Sequence, residues 1–199
     1  MSFWTKDFSG KNITNPKRNF RFRVQFTNID QYAEDLEGTY LWYAKTAQKP
    51  GFSLGEATHS YLNHTFKFPG RVTWDDVEIT MVDPGGNKGI AYGLTKILET
   101  SGYAIPQGAA SDVDFQTISK SKAVSAIGDV IVEQLDEKGL TVEKWVLYNA
   151  FLTKVAYGSL SYEDDNLTEY TIGLRYDWAS YETPGNEITF TSRDERKTL

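Results

Sequence analysis

Cysteine is absent from the 199-residue chain, which removes disulfide frameworks, thiolate nucleophiles and cysteine-ligated metals together and makes cytosolic synthesis the default. Long apolar runs are missing as well. No stretch approaches the ~20 residues of a membrane-spanning helix, and the opening MSFWTKDFSGKN lacks the apolar centre of a secretory signal. There is no surplus of cations either: 21 Lys and Arg face 27 Asp and Glu, for a net charge of -6 and a pI near 5.0. A surface that holds nucleic acid is built from clustered cations, so that class is disfavoured. Transient passage of DNA is not, because an acidic surface does not grip phosphate.

Catalytic signatures are equally scarce. The two histidines, His59 and His64, are spaced neither as a helical i, i+4 metal pair nor as the i, i+2 pair of a strand. Asp75, Asp76 and Glu78 could suggest paired-carboxylate chemistry, but Asp76 and Glu78 fall on the outer face of an expected strand, where solvated acids are ordinary. DPGGNKG at 83–89 precedes a helix, yet it lacks the P-loop spacing and the Lys-Ser/Thr pair, so it reads as a strand-to-helix turn. G-x-S-x-G, H-E-x-x-H and cofactor fingerprints do not occur. No catalytic, cofactor-binding or metal-binding residue is assigned, and an enzyme is not expected.

What is abundant is strand-forming sequence. Hydrophobic residues make up 40% of the chain and aromatic ones 14%, largely 12 Tyr and 11 Phe, while mean hydropathy is -0.47. This is the profile of a folded, strand-rich domain, and the length suits one domain with elaborations. The plainest pattern is LTEYTIGLRYDW at 167–178, where Tyr170, Ile172, Leu174, Tyr176 and Trp178 alternate with smaller or charged residues. Read as one strand it spans about 40 Å, roughly twice the usual length.

The same period of two marks Phe20–Phe26, with rings inward and Arg21 and Arg23 outward, and continues through Tyr40–Gln48, Val72–Val82, Asp129–Leu135, Leu140–Val146 and Thr153–Tyr162. Phe52–Leu62 reads as a short extended stretch, followed by a turn at Pro69-Gly70. EKG at 137–139 reads as a hairpin turn. One helix is expected over 88–101, with Asn87 as N-cap, Ile90, Leu94, Ile97 and Leu98 on its apolar face, and Gly102 at its end. The segment 103–126 reads as a long loop. The chain therefore divides into an N-terminal arm (1–18), a β-domain (19–181) and a polar C-terminal tail (182–199) that frays. About seven or eight strands joined by short turns predict a mainly β protein: an antiparallel β-sandwich or barrel with one flanking α-helix and a long loop.

Several blocks carry a family resemblance: RFRVQF at 21–26, FPGRVTWDDVEITMVDP at 68–84, EKWVLYNAFLTKVAYGSLSY at 143–162 and EYTIGLRYDWA at 169–179. Together they resemble the tail tube protein of contractile-tailed bacteriophages. The resemblance spans roughly 19–180 and is most specific at Trp145–Phe151 and Ile172–Trp178. It implies a structural virion protein, made in the host cytoplasm, six copies of which close a ring by joining inner sheets. Rings stack into the inner tail tube, within a sheath and between baseplate and terminator proteins, and genomic DNA passes down the lumen without specific binding. The net charge of -6 per chain would repel phosphate if a fair share of it faced that lumen.

Subunit contacts are expected at three places. The edges of Phe20–Phe26 and Thr153–Tyr162, including Phe22, Lys154 and Tyr157, join neighbours in a ring. Phe3 and Trp4 of the arm and Phe115 of the 103–126 loop engage the next ring. Arg21 and Arg23 pair with Asp75 and Asp76 across an interface. Two alternatives stand beside this reading. One is the tube protein of a bacterial secretion system or extracellular contractile injection system. The other is a monomeric carbohydrate-binding β-sandwich, which predicts aromatics grouped on one open face.

Overall fold

The computed structural model describes residues 17–28, 43–84, 89–105, 117–163 and 165–188. It is mainly β and antiparallel, and the alternating stretches become its strands. In β1 (Phe22–Phe26), Val24 and Phe26 are buried and Phe22 packs against them. Antiparallel pairing carries this edge through β6 (Val130–Leu135) and β7 (Thr141–Tyr148) to β10 (Trp178–Thr183) and β11 (Asn186–Ile188), a five-stranded sheet in the order β1-β6-β7-β10-β11. A second sheet takes β2 (Ala44–Ala47), β5 (Val77–Val82), β8 (Phe151–Ala156) and β9 (Glu169–Arg175), in the order β2-β5-β9-β8. Neither sheet closes on itself among the described residues.

The inward residues of both sheets form one core. Ile79, Met81, Ile172 and Leu174 come from the four-stranded sheet, and Val24, Phe26, Val130, Leu147 and Ala179 from the five-stranded one, all at most 2% exposed. Two helices complete it. In α1 (Ile90–Thr100), Ile90, Leu94 and Ile97 are buried, as their spacing predicts. The helix starts after Gly89, which makes no side-chain cap, and Asn87 lies outside the described residues. Gly102 follows it at φ +103, the conformation that stops a helix.

The second helix corrects the loop reading. Residues Lys120–Ile127 form α2 inside the segment taken as loop, with Ser119 as N-cap accepting from the Lys122 N–H at 3.3 Å. Its inward residues, Ala123, Ala126 and Ile127, are mostly small, which kept the helical period faint.

The reading of 167–178 as one long strand is corrected too. The stretch is not one strand but two, because β9 ends at Arg175 in the four-stranded sheet and β10 begins at Trp178 in the five-stranded sheet. Asp177 sits at the corner. Its N–H donates to the Tyr148 carbonyl at 3.1 Å, and its carboxylate accepts from Lys120 Nζ at 2.7 Å and Asn149 Nδ2 at 2.9 Å. The same happens at Asp75–Asp76, which separates β5 from the strand before it, so that Val72–Val82 is also two strands. At the C-terminal end, Glu182–Ile188 does not fray: β10 turns through Gly185, at φ +83, into β11.

The third sheet has only two strands, β3 (Phe52–Tyr61) and β4 (His64–Trp74), joined by a tight turn in which Leu62 adopts φ +54. The turn is therefore at Leu62-Asn63, and Pro69-Gly70 lies within β4. Every residue of this ribbon is exposed except the half-buried Trp74 at its root.

Ile172 is the central apolar residue of β9, fully buried and paired with both Ile79 and Val155. Ile172→Ala is expected to lower unfolding stability by about 2–5 kcal/mol. Thr171→Ala, on the solvent side of the same strand, should cost about 1 kcal/mol or less. Chemical denaturation of both variants checks the assignment of faces.

Candidate assembly surfaces

Among the described residues, three surfaces stay open after the core is made: the ribbon, the sheet edges and the outer face of the four-stranded sheet. The ribbon is two-sided. Register pairs Ala57 with Phe68, His59 with Phe66 and Tyr61 with His64, so these six residues share one face; Glu56, Thr58, Ser60, Thr65 and Lys67 occupy the other. The polar side is satisfied locally, with Ser60 and Thr65 hydroxyls 3.1 Å apart and Lys67 3.3 Å from Glu56. On the other side Phe66 and Phe68 are 46% and 54% exposed, and Leu62 at the tip is 88% exposed.

Nearer the body a bulge shifts the register between Leu54 and Glu56. Gly70 crosses Gly55 there so closely that a Cβ on Gly70 would lie 2.9 Å from the Gly55 carbonyl, which explains glycine at that crossing.

The root of the ribbon is fixed firmly. The Asp75 N–H donates to the Gly51 carbonyl at 2.9 Å. Phe52 meets Trp74 edge-on at 5.5 Å, and Trp74 meets the buried Tyr176 at 5.9 Å. Just before the ribbon, Lys49 reaches Glu143 of β7 at 2.7 Å and Gln134 of β6 at 2.6 Å. Glu143 also accepts from Trp145 Nε1 at 2.7 Å and from Lys17. Burial alone would push the Glu143 carboxyl up, but the hydrogen bonds from Lys17, Lys49 and Trp145 outweigh it and hold the carboxyl at about 2.

The expected contact residues are placed as follows. Phe3, Trp4 and Phe115 lie outside the described residues. β1 and β8 are terminal strands of their sheets, but β8 ends at Ala156, so the expected strand Thr153–Tyr162 is strand only in its first part. Phe20 is 75% exposed, with the Arg21 guanidinium 5.3 Å from its ring centre. Phe22 faces the core. Arg21 and Arg23 take Glu137 and Glu133 as partners within the protomer, while Asp76 is held by Arg175 in a two-pronged contact at 2.9 and 2.7 Å that lowers its pKa. Asp75 is exposed beside Gly51. Lys154 lies 3.5 Å from Glu78, and the Tyr157 hydroxyl 3.0 Å from that of Thr95.

Sequence reasoning missed the ribbon face. The available signal was the alternation of His64, Phe66 and Phe68 with Thr65 and Lys67. Among the described residues, no group of His, Asp and Glu is arranged to hold a metal ion, and no helix is long and apolar enough to cross a membrane.

Two open antiparallel sheets around one core, a helical flank and a ribbon standing clear of the body define the protomer's class. No sequence-family model matches the chain, and no curated protein matches it. Solved structures with a similar fold include chains of an extracellular contractile injection system and of the anti-feeding prophage. One is a chain of the sheath/tube terminator of PVC, an extracellular contractile injection system, in the extended state, with a TM-score of 0.59, 14% identity, and coverage of 86% of this chain and 99% of that one. Another belongs to the 6-fold symmetrised baseplate of the anti-feeding prophage (TM-score 0.58, 15% identity, coverage of 87% and 100%). A third belongs to the tube-terminating cap of the same prophage (TM-score 0.56, 17% identity, coverage of 92% and 99%).

Because the folded Glu143 carboxyl titrates below its ordinary value of 4.5, its stabilisation is complete above that value and drains away as pH falls toward about 2. Glu143→Gln is expected to be less stable than the wild type at pH 7 and to show a flatter decline between about pH 4.5 and pH 2. Thermal melting across that window reads both effects.

Proposed function

We propose that this chain is a structural protomer of the tube of a contractile injection machine, closed into rings by its own copies and stacked ring on ring. The observation that carries the reading is the ribbon: a β-hairpin, rigidly mounted, whose aromatic face the described residues leave exposed. A soluble monomer gains nothing from such a face, whereas an assembling one buries it on a neighbour. The terminal strands β2 and β8 supply the second requirement. Among the described residues no further strand pairs with them, so β8 of one copy can accept β2 of the next and carry the four-stranded sheet around a ring. Fold similarity to chains of a 6-fold symmetrised baseplate and a sheath/tube terminator supports six-membered rings with sheath, baseplate and terminator as partners.

In the phage-tail form of this reading the protein resides in the virion and the lumen carries DNA. The extracellular injection systems among the fold neighbours favour the second form, in which the same tube delivers protein. Nucleic acid in the native particle marks the first and its absence the second. The ribbon's aromatic face also meets one expectation of a carbohydrate-binding module, which would be monomeric.

Replacing Phe66 and Phe68 together by Ser should leave the melting temperature within a few degrees of the wild type, since both rings are exposed in the protomer. Sedimentation velocity should show polymer lost in favour of protomer or single rings. Thr65→Ala, on the opposite face, should assemble normally. A Phe66/Phe68 variant that polymerises like the wild type removes the ribbon from the contact.

A further inference from the structure

The outer face of the four-stranded sheet has a property that the net charge of the chain conceals. Its side chains stand in rungs across β2, β5, β9 and β8. One rung is Thr46, Thr80, Thr171 and Ala156, with the Thr80 and Thr171 hydroxyls 3.3 Å apart. The next joins Glu78 across Gly173 to Lys154 at 3.5 Å. A third joins Asp76 to Arg175 at 2.7 Å, and at the far end Lys45 takes Glu169. Three carboxylates and three cations are thus matched pair by pair, and among the described residues of these strands the face sums to zero. The net charge of -6 therefore does not come from these six residues.

The face also lacks exposed rings among the described residues, although Phe151 is level with Arg175. In these four strands Tyr170 is buried and Phe151 half-buried, and no aromatic residue is exposed. The two means by which proteins hold single-stranded nucleic acid, unpaired cations tracking the backbone and aromatic platforms under the bases, are therefore both missing. The five-stranded sheet offers no comparable surface, because Glu133, Val146 and Ser180 on its outer side are buried.

We propose that this face is the lumen wall of the tube and that it is electroneutral by pairing, so that the conduit does not sort its cargo by charge. The inference rests on the tube reading above. It replaces repulsion of phosphate by simple absence of grip, which serves a moving polymer of either sign. Attraction of either sign would retain the cargo.

The test uses tubes assembled from the full chain, with a fluorescent oligothymidylate and an oligolysine as probes. Wild-type tubes should retain neither. Asp76→Asn, Glu78→Gln and Glu169→Gln together make the wall positive and should raise oligothymidylate retention about tenfold or more at low salt, with the gain lost as salt rises. Glu99→Gln, Asp129→Asn and Glu137→Gln, on α1 and the β6 side of the five-stranded sheet, make the same change of net charge away from this face and should not. Lys45→Gln, Lys154→Gln and Arg175→Gln should instead raise oligolysine retention.

Where a triple variant fails to assemble, Glu78→Gln and Lys154→Gln, each breaking one exposed pair, give the same directions at smaller size. Equal retention by the face and control variants overturns the assignment, and so does strong retention of either probe by wild-type tubes. An independent readout uses the absence of cysteine: Thr80→Cys in assembled tubes should react with a small maleimide and be shielded from a bulky polyethylene-glycol maleimide. Full reaction with the bulky reagent, on tubes visible by microscopy, places the face outside and overturns this inference while leaving the tube reading intact. Protein that forms no tubes overturns both.

Discussion

A β-sheet edge and a bare aromatic face share one constraint: each holds groups that do better covered, and neither can be covered by lengthening the element that bears it. In this protomer the constraint is met inside the core and left open outside it. The core is complete, with residues of both sheets and both helices in one cluster. The ribbon, by contrast, is anchored by Glu143, Lys49 and a train of rings at its root and then extends beyond the body. Among the described residues nothing covers its aromatic face, and rigid mounting of such a face fits the proposed assembly with further copies.

Two corners make this architecture possible. At Asp75–Asp76 the chain leaves the ribbon for the four-stranded sheet, and at Tyr176–Asp177 it leaves that sheet for the five-stranded one. Asp177 is held by Lys120 of α2, by Asn149 and by the Tyr148 carbonyl, and the Lys120 contact keeps its carboxyl below the ordinary range. The corner therefore ties together β7, α2 and the β9–β10 junction, where a single uninterrupted strand would have kept the sheets from facing each other.

Strands were legible in the sequence where one face is buried and the other wet. The alternation at 22–26, 77–82, 130–135 and 169–175 reappears in the structure. The corners were not, because Tyr176 is buried just past the end of β9 and keeps the even-numbered series running. In β10 the inward residue is Ala179, while Trp178 is partly exposed; the phase slips by one, but the bulk of Trp178 hides the slip. Helix α2 was hidden by its small inward residues. For the ribbon, local pattern predicts a strand but cannot say that no layer lies beneath it. The pairing of Asp76 with Arg175 and of Glu78 with Lys154 depends on register between distant strands, which spacing along the chain does not disclose.

The fold is shared with chains of an extracellular contractile injection system and of the anti-feeding prophage at 14–17% identity, so what the similarity preserves is the arrangement of sheets and not a set of side chains. Self-assembly is the claim on which the functional account depends. Negative-stain electron microscopy of the purified full-length protein at high concentration tests it most directly. The account predicts rings or hollow rods; a uniform population of isolated protomers under those conditions would contradict it.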